Sequence, residues 1–124
     1  MKRRSLILAM LCLIALLASG CKGKTTDGEK TITLCVIHKD GTENEIEVKS
    51  AATHLEDVLK ESGVVEGRMR SFGFYIETAD GEKVNEDNEE WWQLAVDGEP
   101  LPTAASYTKV SDGDRYELIF TIGY

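Results

Sequence analysis

Three observations predict an α+β fold, a mostly antiparallel sheet with one helix packed on one face. Apolar and polar residues alternate in several short runs, among them TITLCVI (31–37) and RYELIFTI (115–122). Turn signals separate the runs: Lys39-Asp40-Gly41-Thr42, Ala79-Asp80-Gly81-Glu82, Asp97-Gly98 and Asp112-Gly113-Asp114. One window alone, around Ala52, Leu55, Val58 and Leu59, repeats at helical spacing. Short turns between strands favour antiparallel pairing, and a lone amphipathic helix must bury its stripe on the sheet.

The chain opens with Lys2, Arg3 and Arg4 ahead of an apolar run from Leu6 to Leu17, closed by Ala18, Ser19 and Gly20. Basic, apolar and small-residue parts in that order are a signal peptide, residues 1–20. The 12-residue run is short of the roughly 20 residues that a membrane-spanning helix needs. Leu17-Ala18-Ser19-Gly20-Cys21 resembles the lipobox of bacterial lipoproteins, departing from the preferred pattern in having Ala18 where leucine is usual. That resemblance implies acylation of Cys21, and two acyl chains hold a protein stably on a bilayer where one does not. The expected location is extracytoplasmic, with the protein anchored by lipid to a bacterial membrane. Lys22 is not the aspartate that resembles an inner-membrane retention signal, which leaves the outer membrane open.

Without residues 1–20 the chain keeps 104 of its 124 residues, one domain by length. Losing Lys2, Arg3 and Arg4 leaves 11 basic against 22 acidic residues, a net charge of −11. Such a surface repels nucleic acid and anionic membranes, so nucleic acid is not an expected partner. With Cys12 removed and Cys21 acylated, Cys35 stands alone, which excludes an internal disulfide; its place in a strand reads as packing.

Residues 21–30 form the lipidated cysteine and a tether, KGKTTDGEK after Cys21, reaching about 17 Å as a random coil. The folded domain is residues 31–124. Ile32, Leu34 and Val36 alternate along a first strand, and Glu45 to Val48 return as its hairpin partner. The helix follows, with Ser50 or Thr53 as its cap and Gly63 as its left-handed stop. Phe72, Phe74 and Ile76 share one face of the next strand, Tyr75 and Glu77 the other. Trp91 to Val96 and Arg115 to Ile122 are further strands, with a short one after Asp97-Gly98. The order β-β-α-β-β-(β)-β suggests a β-grasp.

The helix ATHLEDVLKESG, the run SFGFYIETADGEKV and the segment WWQLAVDGEPLPTAASYTKVSDGDRYELIFT resemble the DUF4430 family, whose domain is similar to the C-terminal β-domain of transcobalamin and intrinsic factor. The motifs that carry it are Trp91-Trp92, Val96-Asp97-Gly98, and Val110 with Asp112-Gly113-Asp114 and Glu117. The chain departs from the family at Pro100 to Tyr107, where a glycine-containing loop is usual. The resemblance implies a β-grasp-like domain and, from the animal proteins, one half of a cobalamin site. The large helical barrel that supplies the other half has no room in 104 residues.

Trp91 and Trp92 are adjacent, so on a strand they face opposite sides. Trp92, Leu94 and Val96 are assigned to the core with Phe72, Phe74, Ile76, Leu118 and Phe120. Trp91 shares the other face with Gln93 and Ala95; Tyr75 joins it if its strand is adjacent, giving an aromatic platform. The alternative is that the 85–90 loop or a second sheet covers Trp91. The candidate ligand contacts are Trp91, Tyr75, Gln93, Pro100 and Tyr107.

The acidic run Asn85 to Glu90 lacks the alternating spacing of a calcium loop and reads as a solvated loop. Asp112 and Asp114 read as turn formers. His38 and His54 lack the spacing of a metal or general-base motif, so no metal is expected. Neither a nucleophile elbow nor a phosphate-cradling glycine loop is present, and the expectation is not an enzyme. The function expected is a surface-anchored binding lipoprotein that captures a corrinoid or another small ligand for uptake, without a resident cofactor. Its partners are the membrane, through the lipid, and a transporter subunit or surface protein. The rival reading is a protein-interaction or adhesion module on the cell surface.

Overall fold

The computed structural model describes residues 28–124; the signal segment, Cys21 and most of the tether lie outside the described residues. Strands β1 (Lys30–Ile37) and β2 (Glu43–Ser50) form the expected hairpin, with Ile32 opposite Val48 and Leu34 opposite Ile46. Helix α1 (Leu55–Ser62) follows, then β3 (Val65–Arg70), β4 (Gly73–Ala79) and β5 (Glu82–Lys83). The chain ends in β6 (Glu90–Val96), β7 (Glu99–Pro100) and β8 (Arg115–Ile122).

These strands form two sheets, one ordered β2-β1-β8-β6-β7 and the other β3-β4-β5. Every pairing is antiparallel except that of β1 with β8. The sequence reading gave neither β3 nor β5 and placed all strands together. β3 escapes it because Glu66, Gly67 and Arg68 break its apolar alternation, and β5 because two residues show no period.

α1 buries Leu55, Val58 and Leu59 and stops at Gly63, whose φ of 75° is left-handed. Neither Ser50 nor Thr53 caps it. Residues 53–54 instead bond across to 109–110, with the Val110 N–H donating to the Thr53 carbonyl, and the first helical N–H, of Leu55, donates to the Thr108 carbonyl at 2.8 Å. The helix therefore starts three residues after Ala52, where its apolar period begins.

The core lies between the five-stranded sheet, α1 and the small sheet, and holds Ile32, Leu34, Val36, Leu59, Ile76 and Leu118 among others. Two expectations fail. Phe72 is 55% exposed because β4 begins one residue later, at Gly73 with φ 121°. Ala95, expected on the outer face, is buried: it flanks Glu117 in the cross-strand row that continues to Cys35. Two small side chains there leave room for the Glu117 carboxylate to reach over and accept the Gly98 N–H at 2.8 Å. Burial pushes the Cys35 thiol pKa up, in keeping with packing. Among the described residues, no helix is long and apolar enough to cross a membrane.

Candidate functional site

The Asp97-Gly98 turn, with φ of 51° and 80°, sets the hydrogen-bond register between β6 and β7. On the strand's outer edge the Leu94 carbonyl accepts the Leu101 N–H at 3.0 Å, and the Glu90 N–H donates to the Asn85 carbonyl at 3.2 Å. Ladder bonds alternate every two residues, so the N–H and C=O of Trp92, midway between, point the same way. β7 pairs only with Ala95 and Val96, and no described strand covers this edge at Trp92.

A groove of about 800 Å³ opens there between the two sheets. Trp92, Leu94, Phe74 and Ile76 form its floor, Tyr75, Phe72 and Arg70 rise from the small sheet, and Leu101 to Ala104 with Tyr107 close the far side. Trp91 and Tyr124 also line it. An open strand edge lets one groove meet side chains from both faces, which is how both tryptophans contribute. Trp92 is 5% exposed and stacks edge-on against Phe120, with ring centroids 5.3 Å apart. The Trp91 indole N–H donates to the Gly123 carbonyl at 2.8 Å, which fixes its ring at the rim.

Arg70 gives the groove its charge. Its guanidinium lies 3.9 Å over the Tyr75 ring and pairs with Glu86 at 2.7 Å. Arg70 in turn holds the Glu86 carboxyl below the usual carboxylate range. Burial, with Glu86 adding to it, raises the pKa of the Tyr75 phenol. The groove thus presents an aromatic surface with one compensated ion pair at its edge. A smaller hollow of about 440 Å³ on the other side of Tyr75 is polar, lined by Glu77, Lys83 and Asp87 among others.

Ser106 pins the far wall. Its hydroxyl accepts the Phe74 N–H at 2.9 Å and donates to Glu56 of α1. This departure loop, Pro100 to Tyr107, includes a 3-10 turn over Ala105–Tyr107. Beneath the opposite end, Glu90 is buried, accepting the Asn85 N–H at 2.8 Å and pairing with Lys39 at 3.0 Å. Glu90 thus corrects the reading of the whole 85–90 run as solvated. Residues 86–89 are exposed.

Of the expected contacts, the structure brings Trp91, Tyr75 and Tyr107 into one groove and leaves Gln93 and Pro100 outside its lining. Tyr75 and Trp91 meet there from different sheets, not as neighbours in one sheet. Sequence reasoning missed Arg70, Phe72, Glu86 and Tyr124. Only Phe72 and Arg70 carried a signal, as an apolar and a cationic residue flanking Ser71 in what proves to be a turn.

His38 is also better placed than the sequence suggests. Its Nδ1 lies 2.8 Å from Glu82 Oε1 and its Nε2 2.8 Å from Asp80 Oδ2, joining the end of β1 to the β4–β5 turn. Among the described residues, no group of three or more His, Cys, Asp or Glu side chains is arranged to hold a metal ion.

Two β layers, one helix and a groove along an open strand edge define a small, mostly β domain, predominantly antiparallel. The chain belongs to the family described as Domain of unknown function (DUF4430), which residues 52–121 match. It is similar to a crystal structure of a proposed metal binding protein from Ruminococcus gnavus ATCC 29149, with 41% identity and a TM-score of 0.75 over 77% of this chain and all of that one. It shares its fold with haptocorrin, solved in complex with Cbi, at 18% identity and a TM-score of 0.67 over 81% of this chain. The chain spans about a quarter of haptocorrin's length, 27%. No curated protein matches it.

Proposed function

We propose that the protein is a non-enzymatic binding module, held by lipid on Cys21 at the outer surface of a bacterial membrane, that captures a small ligand with a broad ring face. The groove over the Trp92 edge carries this reading. At about 800 Å³ it lies within the roughly 300–1,000 Å³ of small-molecule sites, and it combines an apolar lining with a few polar groups as they do. A corrinoid is the ligand we favour, because the fold is shared with haptocorrin and the groove offers ring faces to a macrocycle. The hairpin, helix and parallel return of β8 beside β1 support reading the larger sheet as a β-grasp.

The groove is open on one side, so in this reading a transporter subunit or another surface protein completes the enclosure and receives the ligand. Titration with cobinamide and cobalamin tests it through tryptophan fluorescence and the corrin absorbance spectrum. Saturable changes that weaken in Trp91→Ala support the corrinoid; no change in either signal removes it. The second reading, a protein-interaction module, draws on Phe72, Tyr107 and Tyr124, which stand 55%, 66% and 88% exposed at the rim. Its mark is a membrane protein captured by the wild type and lost in Trp91→Ala, with no small-molecule binding.

A further inference from the structure

We propose that His38 is a positioning residue for the groove, a proton-dependent clamp that holds Trp92 in the groove floor. Carboxylates accept hydrogen bonds and cannot donate them. With an acceptor oxygen 2.8 Å from each ring nitrogen, both nitrogens must carry hydrogen, so the geometry is that of an imidazolium. Losing either proton sets a nitrogen lone pair against a carboxylate oxygen, and that arm of the clamp opens.

The clamp reaches the groove by two short paths. The Glu82 main-chain carbonyl accepts the Trp92 indole N–H at 3.2 Å, and the His38 ring meets the Trp92 ring edge-on with centroids 6.0 Å apart. Glu82 therefore grips His38 with its side chain and Trp92 with its backbone. β5 is only two residues long and holds that carbonyl through the pairing of Glu82 with Ala79.

The charged surroundings favour the clamp. Asp80 and Glu82 face the ring from the β4–β5 hairpin, and Lys39 and Asp40 lie beside it in the β1–β2 turn. Lys39 is itself engaged by Glu90, while its backbone N–H donates to Glu82 at 3.1 Å. Asn44 of β2 donates to Asp80 at 3.0 Å, so both carboxylates keep a partner when the imidazole lets go. The Asp80 hydrogen bond, then that of Glu82, outweighs burial and raises the His38 pKa above its ordinary value. The clamp is accordingly closed below the raised His38 pKa, while Asp80 stays ionised, and opens as pH rises through it.

The test follows the two indole N–H resonances of 15N-tryptophan-labelled protein across a pH titration, with Trp91→Phe for assignment. The Trp92 resonance is expected to titrate with the His38 ring at a midpoint above about 6.5, and to lose that transition in His38→Gln. The Trp91 resonance, bonded to Gly123, stays flat. Glu82→Gln keeps the carbonyl to Trp92 but removes one charge, and should lower both midpoints together, which serves if His38→Gln does not fold. A Trp92 resonance indifferent to the His38 titration, or one that titrates unchanged in His38→Gln, overturns the proposal. A second arm rests on the groove being the ligand site: cobinamide affinity should fall about fivefold through the same midpoint, the equivalent of one hydrogen bond. Absence of cobinamide binding sinks the ligand reading and leaves the resonance test intact; binding with a flat pH profile overturns the clamp's role in the groove.

Discussion

Gly67→Ala separates steric from conformational reasons for a glycine in this fold. Gly67 sits at a bulge in β3, where the pairing with β4 shifts register between Glu66 and Gly67. A Cβ there would stand 2.1 Å from the Tyr75 carbonyl oxygen and 2.9 Å from the Phe74 ring, and the first of these is backbone. To reach even 3.0 Å, β3 must retreat by about 0.9 Å or the bulge must reform. Overpacking of this kind costs about 1–3 kcal/mol, and the close backbone contact places Gly67→Ala in the upper half. At roughly 4–8 °C per kcal/mol for a domain of this size, 2 kcal/mol lowers Tm by about 8–16 °C. Gly63→Ala is the comparison: its φ is 75° with open space around it, so its cost is conformational alone, about 1 kcal/mol. Urea unfolding of both variants measures the difference. If Gly67→Ala unfolds within about 0.5 kcal/mol of wild type, the ordinary scatter of surface substitutions, the close approach of β3 to Tyr75 is not what holds that wall.

Three further outcomes are expected. The His38 pKa is raised chiefly by Asp80, so His38 contributes stability below about pH 6.5 that is lost as pH rises through its higher folded value. The Asp80 pKa is lowered, first by His38 and then by Asn44, so its contribution is lost as pH falls through that lower value. The stability difference between wild type and His38→Gln should peak between these limits, and a pH-independent difference in urea melts would contradict the clamp. Ser106→Ala should cost about 1–3 kcal/mol by leaving the Phe74 N–H without its acceptor; hydrogen exchange at Phe74 should quicken, and an unchanged rate would show that the loop is pinned elsewhere. Tyr116→Phe removes a 2.7 Å bond from the buried phenol to Asp114 and should cost about 1 kcal/mol. In the wild type, burial and Asp114 push the Tyr116 pKa well above that of an ordinary tyrosine, so an alkaline absorbance titration in which Tyr116 ionises in the ordinary tyrosine range would count against this packing.

What the sequence shows of this fold is what period and punctuation carry. The β1–β2 hairpin, the helix stop at Gly63 and the burial of Trp92 follow from alternation, a turn and a stripe. Asp114 serves its turn as expected, accepting the Ser111 N–H at 2.8 Å, whereas the Asp112 carboxylate reaches across to β1 and accepts the Thr31 N–H at 2.7 Å. β3 leaves no such trace: four of its six residues are exposed, and its place is set by Gly67 fitting against Tyr75. The division into two sheets is equally silent, since it depends on which strands fail to pair. The groove exists at that failure, which is why Tyr75 and Trp91 could be named as aromatics while Arg70, Glu86 and Tyr124 could not. His38 was unreadable for the same reason, its partners being more than forty positions away in a turn that local spacing cannot place.

The two-residue turn at Asp97-Gly98 governs more than a change of direction. Adding or deleting one residue there would slip β7 by a position against β6 and exchange its two faces. Leu101 would lose its bond to the Leu94 carbonyl, and the wall of Leu101 to Ala104 would shift along the Trp92 edge. An exposed loop that by location could vary freely is thus held to a fixed length, and insertional scanning should find it as intolerant as the interior. The far wall of the groove is metered by a turn that stands outside its lining.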